Sequence, residues 1–256
     1  MIVDTMIVDT FMFYNELDIL QLRLEVLDKY VDKFILVESE VNHVGGKKEL
    51  FFENNRERYS KWLDKIVHVI VTEAESPTDP NPWSREKYQR SCILRGLDDV
   101  PENATVMVSD VDEIPDMELL SKVQLPNMCS LHMWMFEYSL KYLFTGEPWV
   151  GTVITNCELF KRVGPNHLRD NRWKLNPLLY AGWHLSSFGT PEHVCLKMHT
   201  FAHAKDGHHD SQTVDTFEEF IRKGIHTDGK TKLIPRPKEV PLPASEEVLK
   251  RCNISI

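Results

Sequence analysis

The sequence predicts one α/β domain: a mostly parallel sheet flanked by helices, with an antiparallel extension on one side. Three observations lead there. Apolar runs alternate with segments of helical periodicity over the first 110 residues, the rhythm of βαβ units. After residue 125 the runs become longer and richer in aromatics, the texture of antiparallel strands. No stretch is long or polar enough to be a linker, so residues 6–256 read as one domain, with one half over about 6–125 and the other over about 126–256.

The elements follow in order. Met1–Thr5 and Met6–Thr10 both read MIVDT, a copy too short for a structural repeat, so the domain is expected to begin at the second. Met6–Tyr14 is an apolar run with strand character. Leu17, Leu20, Leu24 and Leu27 then recur at helical spacing, predicting a helix over Glu16–Tyr30. Lys33–Glu38 is a second strand, Glu53–Asp64 a helix and Ile66–Val71 a third strand. Trp83–Leu97 is a helix after the turn marked by Pro77, Pro80 and Pro82, and Thr105–Ser109 is the next strand. Cys129–Phe144 and Val150–Thr155 are the long strands of the second half. Helices are expected at Pro191–His199 and Thr216–Gly224, and the tail is an extended proline-rich strap before a short last helix.

Composition narrows the function. The 256 residues carry 30 Lys and Arg against 39 Asp and Glu, a net charge of −9, which argues against a nucleic-acid sheath or an anionic-membrane binder. With 42% hydrophobic and 27% charged residues the chain is of globular, not disordered, type. No apolar run approaches the roughly 20 residues of a membrane span. Asp4 and Asp9 interrupt the start, unlike a signal peptide. Five widely spaced cysteines without a CxxC pair point to reduced thiols and a cytoplasmic setting.

The sharpest chemical feature is Ser109-Asp110-Val111-Asp112-Glu113-Ile114-Pro115, directly after a strand. Ligands of open parallel sheets sit at the carboxyl ends of strands. Along an extended chain Asp110 and Asp112 would point the same way, and three acids in four residues invite a divalent cation, Mn2+ or Mg2+, able to hold a diphosphate. A solvated acidic turn is the plain alternative. Among the histidines, His199 and His203 are four apart, as on one helix face; either could be structural, or a late metal ligand. His208 and His209 read as a polar loop. Of the aromatics, Trp149 and Trp183 lie beside Gly or Pro and are expected to be exposed, as platforms for sugar rings. Arg85, Lys87 and Arg90 offer either a solvated helix face or forks for phosphate.

Together these segments resemble glycosyltransferase family 17. The resemblance rests on DTFMFYNELDILQLRLEVL (Asp9–Leu27), VDKFILVES (Val31–Ser39), FFENNRERYSKWLDKIVHVIV (Phe51–Val71), REKYQRSCI (Arg85–Ile93), VSDVDEIP (Val108–Pro115), AGWHLSSFGTPE (Ala181–Glu192) and KMHTFAH (Lys197–His203). It implies a GT-A-like fold, a Rossmann-like nucleotide-sugar half joined to an acceptor half. It also implies inverting transfer of a sugar, N-acetylglucosamine from UDP-N-acetylglucosamine, to a glycan hydroxyl. By the same resemblance Asp110 and Asp112 would meet the metal and nucleotide, His203 would be the late metal ligand and Lys197 a phosphate contact. Glu16, Glu38, Gln89 and Arg90 would lie on the nucleotide side, and Trp149, Trp183 and His184 on the acceptor side. Inversion needs a general base. Glu192, after the GWH segment, is the first candidate, and Glu113, Glu137 and Asp206 stay open. Without a membrane anchor ahead of these segments, a soluble bacterial or viral relative is expected. A metal-dependent phosphohydrolase and a non-catalytic glycan-binding module are the competing functions; the first lacks a DxH or GNH-like pair, and in the second the DVDE cluster would be idle.

Overall fold

The computed structural model describes residues 5–205 and 211–256; most of the first MIVDT copy, and Asp206, His208 and His209, lie outside the described residues. The chain opens with β1 (Ile7–Phe13), α1 (Leu17–Leu27) and β2 (Lys33–Ser39), followed by α2 (Phe51–Asn54), a 3-10 segment Arg56–Trp62 and β3 (Ile66–Val71). Next come α3 (Pro82–Ser91), β4 (Thr105–Asp110), β5 (Glu113–Pro115) and α4 (Met117–Leu120). The second half holds β6 (Met128–Glu137), β7 (Tyr142–Leu143), β8 (Trp149–Asn156), α5 (Cys157–Val163), α6 (Pro165–Asp170), β9 (Pro177–Leu178) and β10 (Gly182–Ser186). It closes with α7 (Pro191–Thr200), α8 (Val214–Lys223), β11 (Ile234–Pro235) and α9 (Glu246–Arg251).

β3, β2, β1 and β4 lie side by side and all parallel; β2, β1 and β4 are buried on both faces as the apolar runs foretold, while β3, at the edge, is only partly buried. β8 joins β4 antiparallel and β6 joins β8 antiparallel, so the extension begins at the expected place. It is not purely antiparallel: β10 pairs parallel with β6 and antiparallel with β5, bridging two strands that the chain places far apart. The result is the mixed sheet expected of a GT-A-like domain, with the carboxyl ends of β1, β2, β4, β6 and β10 along one edge.

Four expected elements change in detail. The helix over Glu53–Asp64 is α2 plus a 3-10 segment, kinked where Tyr59 leaves helical backbone. The helix from Trp83 stops at Ser91, and Cys92–Gly96 continues as 3-10. Cys129–Phe144 is two strands, because Tyr138 takes a left-handed φ of 65° that no strand tolerates. α7 ends at Thr200, so His203 falls in a separate 3-10 turn and shares no helix face with His199. All five cysteines are free.

One buried ion pair ties the layers together. Asp9, in β1, receives both edges of the Arg23 guanidinium of α1 at 2.7 and 2.6 Å, and neither side chain is exposed at all. Removing one member of such a pair strands the other without its counter-charge. Asp9→Ala is therefore expected to cost about 3–5 kcal/mol, read as a lowered midpoint in urea unfolding. A loss below about 1 kcal/mol would show the pair to be dispensable.

Candidate active site

β4 ends at Asp110, and Val111–Asp112 form a turn before β5. The expectation that Asp110 and Asp112 sit on one face of an extended strand therefore fails, and the two carboxylates find different partners. The turn is held from beneath by Arg23, whose Nη1 donates to the carbonyls of Asp110, Val111 and Glu113 at 3.2, 3.1 and 2.6 Å. Its Nη2 also reaches the Ser109 hydroxyl. From the side, Leu185 of β10 donates its N–H to the Asp112 carbonyl at 2.8 Å.

Each acid is paired with a cation, Asp110 and Glu113 sharing one. Arg169, from α6, bonds Asp110 at 2.6 Å and grips Glu113 with both amino groups at 2.7 and 2.9 Å. Arg90 of α3 stands 3.6 Å from the other Asp110 oxygen. Lys197 of α7 donates to Asp112 at 2.9 Å, and His184 Nε2 lies 3.6 Å from the same carboxylate. Glu113 also accepts from the Trp149 indole at 2.9 Å. Burial alone would raise the Asp112 pKa, but Lys197 and His184 outweigh it and hold the carboxyl well below the usual range. Burial is likewise overcome at Asp110, by Arg169 and Arg90. In turn Asp112 pushes the Lys197 ammonium up, against its burial. Repulsion among the three acids is thus relieved by the protein's own basic residues.

Two glycines permit this crowding. A Cβ on Gly151 would come within 2.9 Å of the Glu113 carboxyl carbon and 2.8 Å of the Met133 sulfur. One on Gly182 would lie 2.6 Å from the Ile114 carbonyl oxygen, where β10 crosses β5.

Of the residues expected from sequence, Asp110, Asp112, Arg90, Lys197, His184 and Trp149 come together. Trp149 is half-buried and stacks on His184 with ring centroids 4.4 Å apart. Trp183 does not join them: it is 5% exposed, packed in the core with its indole N–H on the Pro241 carbonyl, so the expected exposed platform is absent there. Glu38 is fully buried at the end of β2, accepting from the Phe52 N–H with His68 Nε2 at 3.1 Å, and Gln89 ties α3 to the Val37 carbonyl of β2. Both shape the sheet edge from within. Glu16 caps the turn after β1 through the N–H groups of Tyr14 and Asn15. Glu192 is exposed in the first turn of α7, its pKa lowered by the Thr190 hydroxyl and its own N–H. His203 is exposed, edge-on to Trp83 at 4.4 Å and near Phe201. Arg85 reaches the His43 carbonyl and Lys87 pairs with Asp170, so neither is aimed at the acids.

The residue that sequence reading missed is Arg169, three per cent exposed and central to the cluster. Nothing local marks it, since it lies on a short helix 56 residues beyond Glu113. Asp9 and Arg23 were legible in principle, as charges set inside an apolar strand and on the apolar stripe of a helix.

Asp110 Oδ1 is buried and makes no hydrogen bond, with Arg90 at 3.6 Å, and among the described residues Asp112 Oδ1 has His184 at 3.6 Å, so each aspartate leaves one hard oxygen without a close partner. No group of three or more His, Cys, Asp or Glu side chains gathers for a metal among the described residues. Two carboxylate oxygens with phosphate and water completing the sphere is how magnesium-like ions are commonly held, so the residues fit.

An acidic pair ringed by Arg and Lys at the carboxyl edge of a parallel sheet has the make-up of a phosphate-handling site, and comparison with known proteins gives the family. The model of glycosyltransferase family 17 matches residues 3–235, and the chain belongs to that family. It is 23% identical to the beta-1,4-mannosyl-glycoprotein 4-beta-N-acetylglucosaminyltransferases of Rattus norvegicus and Homo sapiens, over 86% of this chain and 48% of each relative. The chain thus spans about half the length of those relatives. Among solved structures it is similar to M. tuberculosis glucosyl-3-phosphoglycerate synthase, with 14% identity, TM-score 0.37 and 72% of each chain covered. The galactosyltransferase LgtC gives 12% identity and TM-score 0.32, covering 67% of this chain and 66% of the other. No helix among the described residues is long and apolar enough to cross a membrane.

The Asp112–Lys197 pair has a pH signature. Because the folded-state pKa of Asp112 lies below the ordinary 3.8, its stabilisation is complete above that value and is lost as the pH falls through the folded one. Lys197→Met leaves a buried, uncompensated carboxylate, expected to cost a few kcal/mol at neutral pH, on the order of what breaking a buried pair costs. The gap in melting temperature from wild type should narrow as the pH falls below about 4, where the variant's Asp112 is protonated. A gap independent of pH would exclude Asp112 as the partner that matters.

Proposed function

We propose that this glycosyltransferase moves a sugar, N-acetylglucosamine from UDP-N-acetylglucosamine, to a glycan hydroxyl with inversion at the anomeric carbon. The observation that carries the reading is the juxtaposition of Asp110 and Asp112 with Arg90, Arg169 and Lys197 at the carboxyl edge of β4. The donor sugar rests on kinship with the two mammalian relatives, which are N-acetylglucosaminyltransferases.

The chain's own groups divide the work. Lys197 and Arg90 present positive charge where the departing diphosphate gathers negative charge, Lys197 already oriented by Asp112 and Arg90 by Glu86. Arg169 is spent on Asp110 and Glu113 and acts as a positioning residue. The Trp149–His184 stack offers a flat face and a ring nitrogen beside the acids for the transferred sugar or the acceptor. Asp110 Oδ1 and Asp112 Oδ1 would hold Mn2+ or Mg2+, which when bound acts as a Lewis acid on the leaving phosphate.

Thermal melting across a panel of UDP-sugars, each with and without manganese, tests this directly, because a ligand of the native state raises its melting temperature by mass action. UDP-N-acetylglucosamine with manganese should give the largest shift, and no shift with any nucleotide sugar would overturn the reading. Asp110→Asn and Asp112→Asn should each lower turnover on the order of a hundredfold or more while the protein stays folded. Full turnover in either variant would remove that residue from the centre.

A further inference from the structure

Glu137, the last residue of β6, is fully buried, and neither of its carboxylate oxygens accepts a hydrogen bond. A buried carboxylate in that condition costs stability, and a fold keeps it only where something else is gained. The backbone around it is strained as well. Glu137 sits opposite Ser186 in the β6–β10 ladder, and the next residue on each strand is a non-glycine in left-handed conformation, Tyr138 at φ 65° and Ser187 at φ 53°. The position is close to the chemistry: Leu185, beside Ser186, bonds the Asp112 carbonyl, so β10 alone separates the Asp112 turn from the end of β6.

Resting on the transferase reading above, we propose that Glu137 is the general base that takes the acceptor proton. The step balances simply. The acceptor oxygen forms the new bond to the anomeric carbon, the bond to the diphosphate oxygen breaks with its electron pair leaving on the UDP, and the hydroxyl proton passes to Glu137. The acceptor hydroxyl is the hydrogen-bond donor that the carboxylate lacks in the free protein.

The surroundings suit a base. His226, between α8 and β11, covers the carboxylate with Nε2 at 3.7 Å, while its Nδ1 lies 3.2 Å from the Asp228 N–H and 3.3 Å from the Asp228 carboxylate. Ser186 and His184 from β10 and Lys197 from α7 complete the polar groups around it. Burial raises the Glu137 pKa, only partly opposed by His226 and Ser186, which makes it a better proton acceptor than the hydrated, lowered carboxyl of Glu192. Because Glu137 is fully buried, an acceptor can meet it only after a covering segment moves, and the turn carrying His226 lies between Gly224 and Gly229, both left-handed.

Glu137→Gln, assayed with UDP-N-acetylglucosamine, manganese and water or a glycan as acceptor, separates catalysis from structure. A base predicts turnover lowered on the order of a hundredfold or more, unchanged UDP binding, and a melting temperature equal to or above wild type, because an unpartnered buried charge has been removed. Since a raised carboxyl pKa makes the folded protein lose stability as pH rises from the ordinary 4.5 through the folded value, the variant should also lose that decline. A variant that melts lower than wild type, or retains full turnover, overturns the assignment, as does Glu192→Gln abolishing turnover while Glu137→Gln does not. A wild-type protein that turns over no UDP-sugar defeats the transferase reading itself.

Discussion

The site depends on one guanidinium. Arg23 is locked at one edge by Asp9, in the middle of the parallel sheet, and spends its remaining donors on Ser109 and three carbonyls of the Asp110–Glu113 turn. A turn has no ladder to hold it, so its carbonyls would otherwise need water or a loop to satisfy them. Here a side chain anchored in a helix does so, and the aspartates inherit the rigidity of β1 and α1. A lysine could not replace it, since a point charge lacks the fork that reaches Asp9 and the turn at once.

Above that clamp the charges alternate. Arg169, Lys197 and Arg90 come from three helices that follow or precede the acids by tens of residues, and each is oriented by a carboxylate. The same pairs that relieve repulsion in the turn also preset the cations for a ligand. A diphosphate arriving here would meet basic groups whose ordering was completed during folding, which is the sense in which preorganisation lowers the cost of binding.

The parallel half was legible because each of its strands is an apolar run broken by a helix with Leu at turn spacing, and the DVDE cluster announced itself by composition at a strand end. Its geometry was not legible. Alternation along a strand predicted one shared face for Asp110 and Asp112, but the strand stops at the first of them, and what stops it is Arg23, invisible to a local window. Trp183 was judged by its glycine neighbour and turned out to be core, since Pro241, 58 residues on, accepts its N–H. Arg169 and the double pairing of β10 failed to show for the same reason: both are contacts between segments far apart in sequence, and no periodicity encodes them.

The bridging position of β10 has a consequence for how the chain acquires its site. The strand pairing of the parallel half, through β4, is available once about 110 residues have been made. The Asp112 turn receives its last lateral support from Leu185 and its counter-charge from Lys197, at the far end of the second half. On a growing chain the acids, already clamped by Arg23, therefore exist for some 70 residues before Leu185 and Lys197 emerge, at the 5–20 residues per second of synthesis a delay of seconds. In order of assembly, the scaffold comes first and competence last.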